Sequence, residues 1–313
     1  MLQPRNFNFA ESRNLLKGTT GVVLTTDGKS GLLAVRLPDL RAARLTQAQV
    51  GGVVRGLAGP MASTYAAIVG DGLEIGHVRD QNGDQFELLP PSMIGLGRTR
   101  LGQSLAVDPD GSKVAIIYDV SQGLDAHGRL AVVDLKSGSQ RVLADSVYDH
   151  GVAWSPDGLL VLAIIPKTAT AAQSGNFDPQ AAIFDLRAKR VVPLGAGDES
   201  PTFSPDGRSA AVGVNNSSIY ITSIAHQEVH VVDGTYLYGL VALLPQGKII
   251  CWDGTNAQAT APTMGTERII WPGGANYVLD QSLMLIDPDR GGKVSLATVF
   301  DPDPSWHVAS YGP

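Results

Sequence analysis

The chain has 313 residues, of which 43% are hydrophobic and 17% charged, and its formal net charge is −6 at pH 7. A chain this long and this apolar can bury a large core, so its composition excludes wholesale disorder. The acidic balance argues against nucleic acid as the main partner, because phosphate binding needs a basic face. The single cysteine, Cys251, excludes an internal disulfide and a zinc cluster held by thiolates.

The first residues of the chain lack the pattern of a targeting segment. Arg5, Glu11 and Arg13 interrupt the apolar residues of 1–18, so the apolar region of a signal peptide is missing. No apolar run in the chain approaches the ~18 residues of a membrane-spanning helix. We therefore predict an N-terminal extension, 1–18, and a single domain, 19–313, in the cytoplasm. A periplasmic location stays open if a signal has been removed.

Repeated segments are the strongest pattern in the rest of the chain. Three segments, 103–111, 151–158 and 200–207, each end in Pro-Asp-Gly, and 239–247 is a weaker copy. Glycines in equivalent places stand at positions 59, 111, 158, 207, 247 and 312, which are 52, 47, 49, 40 and 65 residues apart. A period of about 40–50 residues is typical of the four-stranded blades of a β-propeller.

The residues within one repeat predict a hairpin. In Ser155-Pro-Asp-Gly158 the proline fixes φ near −65° and the glycine can take a positive φ, which favours a tight turn between two strands. The apolar runs 113–118, 160–165 and 209–214 follow such turns and predict strands buried on both faces. No segment shows a sustained helical period. We therefore predict an all-β fold, a six-bladed β-propeller of four-stranded antiparallel blades.

The two ends of the chain are predicted to complete one blade together. The segment 306–310 matches the first strand of a repeat, whereas 21–25 matches the second strand of a repeat that lacks its first. We expect the C-terminal segment to be the inner strand of an N-terminal blade. This pairing would close the ring and remove the open sheet edges that promote aggregation.

The Ser-Pro-Asp-Gly units resemble the WD40-like propeller repeats of the TolB family. The resemblance is strong over 103–232 and absent from 1–18. It implies a propeller and says little about function, because the motif is a turn on the face away from the usual ligand site. No Gly-x-Ser-x-Gly nucleophile elbow follows the repeats, so nothing indicates the hydrolase domain of the peptidases that share them.

Candidate binding residues converge on the face where the inner strands begin. Three long connections, 120–128, 166–180 and 254–281, are predicted on that same face, and long loops are usually functional or disordered. Acidic, aromatic and histidine side chains around a channel mouth are typical of a binding site. The predicted site residues are Arg100, Asp149, His150, Asp198, Glu199, Tyr238, Trp306 and His307.

Two classes of function are compatible with these residues. The first is a non-enzymatic binding or scaffold propeller that presents loops to a protein or peptide, an inference that rests on analogy of fold. The alternative is a small-molecule hydrolase or lyase, similar to lactonases, with a metal in the central channel. Oxygen and nitrogen ligands around the axis could hold Ca²⁺, although no ligand spacing is diagnostic. The sequence favours the binding propeller without a cofactor.

Overall fold

The fold is all-β, and a computed structural model describes residues 20–26, 31–37, 41–81, 85–96, 100–121, 126–168, 177–214, 218–233, 237–243, 249–253, 269–270, 276–277, 282–287, 292–295 and 308–312. Every strand pair in this part of the chain is antiparallel. The helix found there is a single turn, α1 (Gln47–Val50), with a capping box from Thr46 and a left-handed Gly51 at its end. The described residues contain no helix that is long and apolar enough to cross a membrane.

The two ends of the chain share one four-stranded sheet. Its strands are β1 (Gly21–Thr26), β2 (Leu32–Leu37), β3 (Arg41–Leu45) and β27 (Val308–Gly312). β27 lies at the inner edge and pairs with β1, with Val22 opposite Gly312 and Thr26 opposite Val308. The predicted pairing of the C-terminal strand with the N-terminal sheet is therefore confirmed for Val308–Gly312, and residues 306 and 307 lie outside the described residues.

A second sheet has an outer strand that is split in two. Its strands are β4 (Val54–Met61), β5 (Thr64–Val69), β6 (Gly72–Gln81), β7 (Gln85–Leu88) and β8 (Ser92–Ile94). β6 pairs with β7 along one half of its length and with β8 along the other. Pro90 and Pro91 separate the two pieces, because proline has no N–H to donate to a sheet ladder. The buried Tyr65 hydroxyl donates to the Leu89 carbonyl at this interruption, over 2.7 Å.

The remaining strands form four sheets of four strands and one small pair. Their bounds are β9 (Leu101–Val107), β10 (Lys113–Tyr118), β11 (His127–Asp134), β12 (Gln140–Tyr148); β13 (Val152–Trp154), β14 (Leu160–Pro166), β15 (Pro179–Asp185), β16 (Arg190–Gly195); β17 (Glu199–Phe203), β18 (Ser209–Val214), β19 (Ser218–Ser223), β20 (Val229–Asp233); β21 (Leu237–Leu243), β22 (Ile249–Asp253), β25 (Ser282–Asp287), β26 (Gly292–Ser295); and the pair β23 (Ile269–Ile270) and β24 (Asn276–Tyr277). Within each of these sheets, strands that follow one another along the chain are neighbours.

The prediction of six blades with four strands each is wrong. The described residues contain five four-stranded sheets, one sheet to which five strands contribute, and one two-stranded pair. The difference from the predicted strand arrangement has two physical causes, and counting repeats in the sequence reveals neither of them. Adjacent prolines divide the outer strand between β7 and β8, and the insertion after β22 contains a hairpin of its own.

The sheets pack face to face around an axis. Inner strands contact their neighbours in the order β27, β4, β9, β13, β17 and β21, and β21 contacts β27 in turn. Buried side chains fill the gaps between adjacent sheets: Ile68 with Ile116, Ile117 with Val161, and Leu162 with Phe203. The β4–β8, β9–β12 and β13–β16 sheets are covered on both faces, which explains why their central strands are apolar on both sides.

The Ser-Pro-Asp-Gly motif closes the hairpin between the first two strands of a sheet, as predicted. Ser155 Oγ donates to Asp157 Oδ1 at 2.5 Å and accepts the Leu160 N–H at 2.9 Å. Gly158 has a φ of +70°, a conformation that favours glycine. The same contacts recur in 204–209. We call the face that carries these hairpins the turn face, and the opposite face, where the inner strands begin, the loop face.

Candidate functional site

Most of the predicted site residues lie on the loop face, at or just before an inner strand. Arg100 precedes β9, Asp149 and His150 precede β13, Asp198 precedes β17, and Glu199 is the first residue of β17. The remaining three are Tyr238, which lies in β21, and Trp306 and His307, which fall outside the described residues. The topology therefore places five of these residues at the mouth of the ring.

Asp149 connects the β13–β16 sheet to the β9–β12 sheet. Its carboxylate accepts the Gln103 N–H at 2.7 Å and the Ser104 N–H at 2.9 Å, and both donors belong to β9. Gly102 leaves room for this contact, since a Cβ at that position would lie 2.5 Å from Asp149 Oδ1. Burial raises the pKa of Asp149 above its ordinary value, although both N–H groups and the nearby His150 act in the opposite direction.

His150 makes the equivalent connection to the next sheet. Its Nδ1 lies 2.8 Å from the Asp198 carbonyl oxygen, so Nδ1 carries the proton and donates it. The Ser200 N–H donates to the His150 carbonyl at 2.7 Å. Asp149 and His150 thus link three neighbouring inner strands, whatever else they bind.

An exposed aromatic surface is built on His150. The Phe177 ring lies 5.1 Å from the His150 ring and 5.1 Å from the Tyr148 ring, which it meets edge-on. Tyr148 is 3% exposed, whereas Phe177 is 39% exposed. We call Tyr148, His150 and Phe177 the aromatic patch. Edge-on contact is the arrangement that aromatic rings favour, so the exposed ring is held by the buried one.

Phe177 lies two residues before β15, in the connection between β14 and β15. At its base the Lys167 ammonium pairs with the Asp178 carboxylate at 3.1 Å, and the Lys167 N–H donates to the Asp178 carbonyl at 2.9 Å. This connection was predicted from the sequence, but Phe177 and Tyr148 were not among the predicted site residues. Phe177 is the one aromatic residue in 166–180, and that was the signal available.

The acidic residues at β17 are also packed closely. The Asp198 N–H donates to the Gly213 carbonyl at 3.1 Å. A Cβ at Gly213 would lie 2.7 Å from Glu199 Cγ, so glycine at this position makes room for the Glu199 side chain. Among the residues that the structure describes, no three His, Cys, Asp or Glu side chains are grouped as metal ligands.

The comparisons with known proteins support the fold. No protein-family model matches the chain, and no curated protein matches it. A structure described as TolB from Agrobacterium tumefaciens is 15% identical with a TM-score of 0.58, covering 94% of this chain and 99% of that one. A chain of the nidogen/laminin complex is 13% identical with a TM-score of 0.60, covering 93% and 97%. The chain is thus a β-propeller, similar in fold to TolB, and the resemblance seen in the repeats is confirmed at that level.

Proposed function

We propose that this chain is a non-enzymatic binding propeller that takes a protein or peptide partner on its loop face. The observation that carries the proposal is the exposure of Phe177 on top of a buried aromatic ring at the mouth of the ring of sheets. Large aromatic side chains dominate the energy of protein interfaces when a partner covers them. A lone exposed aliphatic residue would not carry the same weight.

The aromatic patch is held in place before any partner arrives. Phe177 rests on Tyr148, and the His150 ring is fixed by its 2.8 Å hydrogen bond to the Asp198 carbonyl. A side chain that is already ordered loses little conformational entropy on binding, so more of its contact energy appears as affinity. Loops mounted on a rigid scaffold are also where recognition residues usually lie.

The charge around the patch indicates the kind of partner. Asp149 directly precedes His150 in the chain, the backbone carbonyl of Asp198 accepts the His150 Nδ1–H, and the whole chain has a net charge of −6. Complementary charge steers association and selects partners more than it adds affinity. A partner with an apolar side chain flanked by basic residues fits this surface.

The similar folds support the proposal without identifying a partner. One of the similar structures is described as the nidogen/laminin complex, so the chain that resembles this one was found in a protein complex. A shared fold does not carry a shared partner, and the aromatic patch is a feature of this chain's own residues.

The test is affinity capture by the unchanged chain and by two variants, each with one exposed residue replaced. Phe177→Ser removes the exposed ring of the patch, and Val229→Ser changes a residue that is 48% exposed on the outer strand β20. Captured proteins from the native cells are quantified for the unchanged chain and for both variants. We expect a partner whose captured amount is unchanged with Val229→Ser and at least tenfold lower with Phe177→Ser. Both variants should melt at the same temperature as the unchanged chain.

The proposal fails if every specifically captured protein is retained by Phe177→Ser. Calorimetric titration of the chain with the purified partner then measures affinity independently of how abundant the partner is in the cells. Equal dissociation constants for the unchanged chain and Phe177→Ser would exclude the aromatic patch as the binding surface.

A further inference from the structure

A concave feature lies on the turn-face side of the molecule. It is a cleft of about 260 Å³ between strands β10 to β12 of one sheet and Trp154, Gly158 and Leu186 of the next. We call it the rim cleft. Its volume is just under the ~300–1,000 Å³ typical of pockets for drug-sized molecules, so a smaller ligand fits it.

The floor of the rim cleft is apolar. The Trp154 indole forms part of it, and its Nε1–H is already donated to the Ala106 carbonyl at 3.0 Å. Val132, Leu143 and Leu186 complete the floor, and all three are half-buried. Since the indole nitrogen is occupied within the protein, the floor presents carbon to a ligand.

The edge of the rim cleft carries positive charge. Lys113 lies there and pairs with the buried Asp108 at 3.2 Å. Asp134 also lines the cleft, but its carboxylate accepts the Ser137 N–H and hydroxyl at 2.7 and 2.8 Å. Arg141 is exposed, and no residue in the described part of the chain forms an ion pair or hydrogen bond with its guanidinium. Arg141 is therefore the charge available to a ligand.

The next gap between sheets provides an internal comparison. Arg141 pairs with Val132 across β11 and β12, and Val192 holds the corresponding place opposite Ile183 across β15 and β16. Val192 packs into the core between its sheet and the next one. At the rim cleft an exposed arginine stands where the next sheet has a packed valine.

We propose that the rim cleft binds a small organic carboxylate with an apolar tail. The tail lies on the Trp154 indole and the aliphatic floor, and the carboxylate pairs with the Arg141 guanidinium at the edge. Arginine and carboxylate match in geometry and form two parallel charge-assisted hydrogen bonds. The apolar floor excludes water from one side of the arginine–carboxylate pair. This makes the attraction between the two charges stronger than on an open surface. This site is independent of the partner proposed for the loop face.

The experiment is a calorimetric titration of the full chain with 3-phenylpropionate and with its neutral isostere 3-phenylpropanamide. The two probes share their apolar part and differ in charge, so their comparison needs no variant. We expect the carboxylate to bind at least fivefold more tightly than the amide. Arg141→Val should reduce the affinity for the carboxylate about tenfold and leave that for the amide unchanged.

Arg208→Val is the matched control, because Arg208 is also exposed on the turn-face side but does not line the rim cleft. This variant should bind both probes like the unchanged chain. Arg141→Gln, which keeps the aliphatic stem, should behave like Arg141→Val. The proposal is overturned if the carboxylate does not bind, if both probes bind equally, or if Arg208→Val weakens carboxylate binding as much as Arg141→Val.

Discussion

Replacing Asp149 with alanine should loosen the junction between β9 and β13. The carboxylate accepts the N–H groups of Gln103 and Ser104 at 2.7 and 2.9 Å, and alanine leaves both donors without this acceptor. The inner strands form the ring, so this junction contributes to the stability of the whole molecule and not only to a loop.

Two opposing effects set the size of the change. Burial raises the pKa of Asp149, which means that the folded chain bears a cost for the ionised carboxylate. Leaving two backbone donors without hydrogen bonds costs more, because each buried donor without a partner lowers the free energy of unfolding by about 1–3 kcal/mol. Water can reach the exposed Gln103 more easily than the buried Ser104. We therefore expect a net loss of about 2 kcal/mol in the free energy of unfolding.

Urea unfolding followed by fluorescence measures this loss, with Asp145→Asn as the control. Asp145 pairs with Arg129 in an 82% exposed position, so its replacement should change stability by less than ~0.5 kcal/mol. Gly102→Ala should reproduce much of the Asp149→Ala loss, because its Cβ would displace the same carboxylate.

The pH dependence of the difference in stability between the unchanged chain and Asp149→Ala provides a second measurement. A carboxyl whose folded pKa is raised stabilises the fold fully below its unfolded pKa, and this contribution is lost as pH rises through the folded pKa. The gap in stability between the unchanged chain and Asp149→Ala should therefore be widest in acid and narrow toward neutral pH. A variant as stable as the unchanged chain at every pH would refute this reasoning.

Three further changes test other parts of the fold. Gly76→Ala should lower the free energy of unfolding by at least ~2 kcal/mol in urea titration, because the new Cβ would overlap the buried Tyr65 ring; an equal midpoint would contradict it. Ser204→Ala should be most costly near neutral pH, since the Ser204 hydroxyl lowers the pKa of Asp206 and that stabilisation is lost as pH falls through the lowered value; a stability difference independent of pH would contradict this. Deleting 305–313 should lower the melting temperature of the whole molecule, because β27 pairs with β1; an unchanged transition would show that the ring does not need this strand.

The sequence predicted those parts of the fold that local chemistry determines. The Pro-Asp-Gly turns could be predicted because proline fixes φ and glycine readily adopts a positive φ. Gly158 and Gly207 have φ values of +70° and +68°. The split outer strand was missed because the repeat is weak there, and only Pro90 and Pro91 marked the interruption. Repeat spacing does not report how many strands pair within one sheet.

The positions of Asp149 and His150 in the fold were predicted, but their contacts were not. Asp149 and His150 stand before an inner strand, as the repeat alignment indicated. Their partners come from segments more than forty residues away, so no local pattern could show that they connect neighbouring sheets. Phe177 lies in a connection whose sequence has no strand or helix period, and its contact with Tyr148 joins residues far apart in the chain.

Hydrogen–deuterium exchange of the chain, alone and with its captured partner, shows which face of the propeller the partner covers. If the loop face binds the partner, backbone amides around 148–150 and 177–179 should exchange more slowly in the complex, and the turn-face hairpins 155–158 and 204–207 should not change. Protection confined to those hairpins, with the aromatic patch unaffected, would show that the partner binds the turn face and not the loop face.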